Sequence, residues 1–309
     1  MGKDKKIQIL MSSFNGEKYI REQMNSFVDL DGFENVKVLI RDDGSADSTV
    51  SILKEYEQKY GFEIIEGRNV GVNKSIIELL RNCDMSCDYF ALSDQDDVWL
   101  KNKFTLAVKI LNGLDTKKPA LFASCSRVVT EDLSLLGITL VPKHGLTFYN
   151  AMIQNVTPGH TQVFNRTLAE LMIGVDAEFI HVIDWWIYLV AAGIGQVSFV
   201  GECTVLHRQH GKNSVGYELG FFKNSLMRFN RIKQKQPSSI SLQLKAFDNK
   251  YNNLLENNYR TELKHYFSCQ KTLAGRLKYI FSCKAYRQTI VETAVFKLLY
   301  LFGVYNIER

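Results

Sequence analysis

The sequence predicts an α/β fold: a doubly wound, mostly parallel sheet followed by a helical C-terminal appendage. Three observations lead there. Short apolar runs alternate with amphipathic stretches through roughly the first third of the chain. Two of those runs end in clusters of aspartate, Asp42-Asp43 and Asp94-Gln95-Asp96-Asp97. Beyond about residue 220, strand patterns give way to helical ones that interleave aromatic and basic residues.

Ile7–Met11 is an apolar run of strand length, closed by the polar turn Ser12-Ser13-Phe14-Asn15-Gly16. A helix follows from about Glu17 to Phe27. Val36–Ile40 is a second strand and leads into Arg41-Asp42-Asp43-Gly44-Ser45. Between Ser45 and Tyr60, Val50, Leu53 and Tyr56 fall on one helical face. Ser45 or Asp47 can cap that helix. Phe62–Ile65, a helix over Val72–Leu80 and the strand Tyr89–Leu92 complete the alternation. Successive strands separated by a helix must run parallel, because the chain crosses back over the sheet between them. The middle is less regular: Ala120–Cys125, Arg127–Val129 and Gln162–Asn165 read as strands, and Thr167–Ile173 as a helix. Trp185–Gly201 reads as a buried helix, a glycine turn and a strand rather than a membrane span. Thr204–Leu206 leads into His207-Arg208-Gln209-His210. The expected domains are 1–220, holding the chemistry, and 221–309, basic and helical.

Composition is that of an ordinary globular protein, 46% hydrophobic and 23% charged with 4 prolines, which excludes long disordered stretches. The net charge of +5 is unevenly spread: residues 221–309 carry 16 Lys/Arg against 5 Asp/Glu, so the rest is net negative. The chain suggests no nucleic-acid partner; its basic tail suggests an anionic surface instead. The six cysteines include no CxxC pair, so no zinc framework is indicated. That usage, and an N-terminus that enters a strand without an apolar leader, favour the cytoplasm.

Ligands of open parallel sheets bind beyond the carboxyl ends of the strands, so both acidic clusters belong to one rim. Three aspartates within Asp94–Asp97 repel one another unless a cation sits among them. A hard divalent ion and a phosphate-bearing substrate supply the missing charge. Asp43 is read as free to accept hydrogen bonds from a base or ribose, and Arg68 as a candidate phosphate contact. Asp184 opens a helix among Ile183, Trp185 and Trp186, where desolvation would make it a better base; the plainer reading is that it caps that helix. Trp185 and Trp186 are sugar-stacking candidates, with at least one expected in the core.

Ser13-Phe14-Asn15-Gly16, then Asp42-Asp43-Gly44-Ser45, then Asp94-Gln95-Asp96-Asp97, in that order on strand ends, resemble glycosyltransferase family 2 with the GT-A fold. Asn15-Gly16-Glu17-Lys18-Tyr19, Ala91 to Trp99, Asp184-Trp185-Trp186 and Arg208 to Asn213 resemble its bacterial rhamnosyltransferase-like branch. The resemblance covers about residues 5 to 217. It implies that Ser13, Asn15 and Glu17 line the nucleotide pocket and that Asp43 binds the pyrimidine. Asp94 would lie near the ribose or the metal, Asp96 would coordinate the metal, and Asp97 would face the sugar or support the metal shell. Asp184 would be the catalytic base and His210 a late metal or diphosphate ligand. The resemblance implies Mn²⁺ or Mg²⁺ as cofactor, a dTDP- or UDP-sugar as donor, dTDP-L-rhamnose first, and a glycan carried on a lipid as acceptor. Two positions depart from the pattern: Ser75 stands where Asn is expected, and His207 where Tyr is more usual.

Other readings are weaker. Asp94-Gln95-Asp96-Asp97-Val98 also fits the nucleophile loop of haloacid-dehalogenase-like phosphatases, but there that loop follows the first strand. A sugar-nucleotide pyrophosphorylase needs a Gly-rich, Arg-containing loop near residue 10. A non-catalytic glycan-binding or scaffold protein has no need of both acidic turns. The tail, with Phe221, Phe222, Phe229, Tyr279, Phe281, Tyr286 and Tyr300 among its cations, is expected to lie on the inner face of a membrane. The competing expectation is that its helices pack on the catalytic domain or a second subunit.

Overall fold

The computed structural model describes residues 5–210 and 238–307. The chain forms two compact units, and both are discontinuous in sequence. One comprises Met1–Val141, Thr157–Glu178 and Gly195–His210; the other Pro142–Val156, Phe179–Ile194 and Gly211–Arg309. The expected boundary near residue 220 lies outside the described residues. Within 1–220, Phe179–Ile194 groups with the C-terminal helices. The reason is local packing. Trp186 sits 6.1 Å from both Phe247 and Tyr251, and a Cβ added at Gly193 would touch Phe148, Phe247 and Leu255.

The first unit is built on a sheet ordered β3-β2-β1-β4-β8-β6-β9-β5, with β7 paired to β6. Its strands are β1 (Ile7–Ser13), β2 (Val36–Asp42), β3 (Glu63–Glu66), β4 (Tyr89–Ser93), β5 (Val98–Trp99), β6 (Ala120–Val129), β7 (Leu135–Ile138), β8 (Val163–Asn165) and β9 (Gln196–Arg208). β1, β2, β3 and β4 are parallel as expected. Ile7, Ile9, Leu10 and Met11 are all fully buried, as on a central strand covered on both faces. Helices α1 (Ile20–Val28), α2 (Thr49–Tyr60) and α3 (Val72–Asn82) provide the crossovers. The sheet is nevertheless mixed: β8 lies antiparallel between β4 and β6.

The two fragments read at 120–129 are one strand, and so are those read at 197–206. β6 and β9 run parallel over their lengths, with register shifts at Ser124/Cys125 and Cys125/Ser126. Val200 pairs with Ser124 and Cys203 with Cys125, so Gly201 and Glu202 are the extra residues of a bulge. That bulge interrupts the apolar pattern, which is why the sequence shows two pieces. α4 (Lys103–Leu111) packs behind this half of the sheet, and α6 (Arg166–Met172) follows β8.

The second unit is helical: α5 (Phe148–Ala151), α7 (Ile183–Ile194), α8 (Ser239–Tyr251), α9 (Asn257–Ser268), α10 (Leu273–Ser282) and α11 (Ile290–Leu301). Ser238, Thr272 and Thr289 cap α8, α10 and α11, each side chain accepting a backbone N–H three residues on. Tyr266, Tyr279, Tyr300, Phe296 and Tyr305 form an aromatic core, so much of the tail's aromatic content is interior. Phe281 is not part of it and lies in solvent. Phe221, Phe222 and Phe229 lie outside the described residues. Among the described residues no helix is long and apolar enough to cross a membrane.

Candidate active site

The register of the parallel strands sets the rim. Ser13 aligns with Asp42, and Met11 with Ser93, so the turns after β1, β2 and β4 emerge side by side. These turns are tied to one another by side chains. Gln95 accepts the Phe14 N–H through Oε1 (2.8 Å) and donates from Nε2 to the Phe14 carbonyl (3.0 Å). A Cβ at Gly16 would come within 2.4 Å of Gln95 Oε1, so glycine there leaves room for the clasp. Asn15 sits at φ 47° and accepts the Ala46 N–H at 2.8 Å, while Ser45 Oγ accepts the Asn15 N–H at 2.8 Å. Glu17 accepts the Ser48 N–H at 2.9 Å. Asp47 accepts from the Thr49 N–H and hydroxyl, but the N-cap position of α2 is Ser48, so neither Ser45 nor Asp47 is the cap.

Asp42 and Asp43 are both engaged by hydrogen bonds within the fold. Asp42 accepts from Ser13 Oγ, Ser45 Oγ and the Gly44 and Ser45 N–H groups, and so shapes the turn. Asp43 is 3% exposed and is not free: it accepts from Arg41 Nη1 (2.5 Å), the Val70 N–H (2.9 Å) and the Gly71 N–H (2.8 Å). A buried carboxylate requires such partners, because unpaired it would cost several kcal/mol. Arg41, which the sequence reading passed over, is buried and also bonds Glu78, Ser75 Oγ and the Arg68 carbonyl. Ser75 is thus part of this network, taking the Ser12 hydroxyl at 2.6 Å as well. The Arg68 side chain is exposed on the same loop.

At the end of β4 the three aspartates diverge. Asp94 is half exposed, with Oδ2 3.5 Å from His160 Nδ1. Asp96 faces His210, Oδ2 to Nε2 at 2.8 Å. Burial, then the charges of Asp94 and Asp97, push Asp96 up to about 6 despite the His210 bond. Asp97 is wholly buried; its Oδ1 faces His207 Nδ1 at 2.9 Å and accepts the Arg208 N–H at 3.1 Å. Burial alone would raise Asp97, but His160 and His207 hold it below the usual carboxylate range. Its Oδ2 has no hydrogen-bond partner among the described residues and lies 3.7 Å from His160 Nδ1.

Two histidines that the sequence reading left aside therefore belong here. His160 stacks on His207 at 4.4 Å with the rings 10° from parallel, and its Nε2 bonds Ser126 Oγ at 2.8 Å. Asp97, His160 and His207 offer ligand atoms all within 4.8 Å of one another. The pairing of β5 with β9, Val98 opposite Leu206, brings His207 beside Asp97. Arg208 locks this end: Nε donates to the Asp96 carbonyl, Nη2 to Glu22, and its guanidinium lies 4.9 Å from the Tyr19 ring. Tyr19 in turn stacks on His210 at 4.9 Å. Beneath the cluster, Lys103 is fully buried and donates to the His160 carbonyl at 2.8 Å. Burial pushes its ammonium down to about 7, with the charge of Asp97 opposing.

Donor chemistry around Asp94, Asp96 and His210 fits a divalent ion with oxygen and imidazole ligands. Asp96, raised by burial and then by its acidic neighbours, sits where a cation would relieve the crowded negative charge. Among the described residues, however, the group whose ligand atoms all lie within 4.8 Å of one another is Asp97, His160 and His207, of which Asp97 and His160 are buried. Asp184 lies in the second unit, in the first turn of α7, half-buried, with Oδ1 accepting its neighbour Trp185's N–H at 2.6 Å. Trp185 and Trp186 are both buried, Trp185 bonding the Ala151 carbonyl, so the core claims both indoles.

Residues 8–122, the parallel half of the sheet with both acidic turns, match the model of the family "Glycosyl transferase family 2". Over that segment the chain is similar to glycosyltransferase family 2. Similarity to individual proteins extends over more of its length. The dTDP-rhamnosyl transferase RfbG of Shigella flexneri is 28% identical over 270 residues, 81% of this chain and 89% of its own. An uncharacterized protein of Mycobacterium tuberculosis, Rv1520, is 26% identical over 66% of this chain and 59% of its own. Among solved structures, S. aureus TarS residues 1–349 superposes with a TM-score of 0.58 at 17% identity, covering 97% of this chain and 81% of TarS 1–349. The mannosyltransferase PcManGT of Pyrobaculum calidifontis, solved with GDP-Man and Mn²⁺, gives 0.51 at 14% identity over 97% and 85%. The fold is therefore the GT-A type of nucleotide-sugar glycosyltransferases.

Proposed function

We propose that this glycosyltransferase moves a sugar, L-rhamnose from dTDP-L-rhamnose as first choice, to a lipid-linked glycan by single displacement with inversion. The observation that carries the metal-dependent site is the facing of Asp96 and His210 at 2.8 Å, with half-exposed Asp94 beside them at the end of β4. Asp94, Asp96 and His210 would hold Mn²⁺ or Mg²⁺, whose role when bound is to neutralise the leaving diphosphate. Partial exposure favours this set over Asp97, His160 and His207, because a donor diphosphate must reach the ion. Asp97, held by His207 and Arg208, then positions the β9 end that carries His210. The turns bearing Ser13, Asn15 and Glu17, with Arg68 on the neighbouring loop, would receive the nucleotide, Asp43 holding that loop in place. Asp184 would take the acceptor hydroxyl's proton as it attacks C1 from the face opposite the diphosphate, which inverts the centre.

The rhamnosyl assignment rests on the similarity to RfbG. TarS has been solved with UDP-GlcNAc, which supports a UDP-N-acetylhexosamine donor as the second reading. A screen of sugar nucleotides with Mn²⁺ or Mg²⁺, scoring released nucleoside diphosphate, decides between them. We expect dTDP-L-rhamnose to give the fastest release and chelator to stop it. Undiminished turnover in chelator would reject the metal, and no release from any donor would reject the transferase reading in favour of a glycan-binding protein. Peripheral contact with the cytoplasmic face of a membrane follows from a lipid-linked acceptor; a homo-oligomer is its competitor.

A further inference from the structure

The last two helices of the second unit each leave an apolar stripe in solvent. On α11, Ile290, Val291, Ala294 and Leu298 recur at helical spacing and run on into Phe302, while Phe296, Leu299 and Tyr300 on the other side are buried. Ile290 is 85% exposed and Phe302 60%. On α10, Leu273, Leu277 and Phe281 recur at four-residue steps, with Phe281 85% exposed and Tyr279 buried behind them. Single exposed apolar residues are ordinary, but two such stripes on neighbouring helices are not. A cavity of about 490 Å³ opens on the α11 face, lined by His144, Tyr286, Arg287, Ile290, Ala294 and Lys297 among others. Ile290 and Ala294 belong to both, so stripe and cavity are continuous.

Charge decides what covers this face. Between residues 271 and 305 the chain has Lys271, Arg276, Lys278, Lys284, Arg287 and Lys297 against the single acid Glu292. A second copy meeting this face across a two-fold axis would set the same cations against themselves. An anionic lipid surface supplies both an apolar layer for Ile290, Phe281 and Phe302 and negative charge for the lysines. We infer that α10 and α11 dock on an anionic membrane, apolar stripes inserted, with the cavity between Arg287 and Lys297 receiving a lipid phosphate. This deepens the proposed use of a lipid-linked acceptor, but the docking itself does not depend on which sugar is moved.

The test is co-sedimentation of the full chain with phosphatidylcholine vesicles, with and without phosphatidylglycerol, at low and high salt. Binding is expected to the anionic vesicles alone and to weaken with salt. Ile290→Glu and Phe281→Glu, both at exposed positions, should each reduce it roughly tenfold or more, and Lys297→Gln roughly fivefold. Donor hydrolysis in solution by the same variants should match the unaltered protein, which separates loss of docking from loss of fold or chemistry. Equal binding to neutral vesicles overturns the inference, as does full binding by both Glu variants. So does a dimer in light scattering that Ile290→Glu dissociates while no vesicle binding is seen.

Discussion

Asp96 and Asp97 are neighbours whose environments push their acidities apart. Asp96 is raised to about 6 by burial and by two acidic neighbours, whereas Asp97 is held low by two imidazoles. A metal-holding carboxylate loses its function when neutralised, so Asp96→Asn is expected to cut transfer by roughly 10²–10³. Its circular dichroism should stay that of the unaltered chain, since among the described residues the Asp96 side chain bonds only His210. Activity within threefold (roughly 0.7 kcal/mol) of the unaltered enzyme would dismiss Asp96 as a ligand. Asp184→Asn is expected to lose transfer by about 10²–10⁴ while keeping donor affinity, because a base acts on the acceptor. Calorimetric titration with the donor distinguishes the outcomes: weakened donor binding with turnover intact would make Asp184 a donor contact or a helix cap.

At the scale of elements, the Arg41 node joins β2, α3 and the loop 67–71. Its partners Asp43 and Glu78 bind a guanidinium that is only 2% exposed. Arg41→Ala would strand the Asp43 carboxylate in the interior, a loss of about 3–5 kcal/mol. Urea denaturation should show it; a midpoint shift equivalent to less than about 1 kcal/mol would mean water replaces the arginine. The join between α7 and β9 is a second such place. A Cβ at Gly195 would sit 2.2 Å from the Pro119 carbonyl oxygen, a backbone atom that cannot turn aside. Gly195→Ala is expected to cost about 1–3 kcal/mol and to lower the melting temperature measurably, with β6 and β9 pulled out of register near Ala120 and Gln196.

For the molecule as a whole, ligand linkage gives the most direct check. If donor diphosphate and metal bind at the rim, both together should stabilise the chain by about 2.7 kcal/mol at a hundredfold excess over Kd. For a chain of this size that is a rise in melting temperature of roughly 4 °C. Nucleoside diphosphate that stabilises equally well in chelator would show that the rim binds it without a cation. The basic, aromatic C-terminal region divides between two tasks at this scale. Tyr266, Tyr279 and Tyr300 build its core, while Phe281, Ile290 and Phe302 remain outside for a partner.

Local pattern determined the parallel half of the sheet and the two acidic turns. Ile7–Met11, Val36–Ile40 and Tyr89–Leu92 have strand length and apolarity, and the helices between them force parallel pairing, so Asp42, Asp43 and Asp94–Asp97 had to share a rim. The spacing of Asp94, Asp96 and Asp97 likewise signalled a charge-dense site before any fold was known. Only tertiary structure decided how those carboxylates are partnered. His160 comes from a turn after Pro158 and His207 from the end of a bulged strand, and nothing near either in sequence says that their rings stack on each other beside Asp97. Asp43 looked free because its partners, Arg41 and the N–H groups of Val70 and Gly71, come from a strand facing inward and a loop about 27 residues on. Hydrophobic periodicity is written in neighbouring residues and so can be read from them; burial of a charge is satisfied by whatever the fold brings alongside, and that choice appears only when the chain has closed.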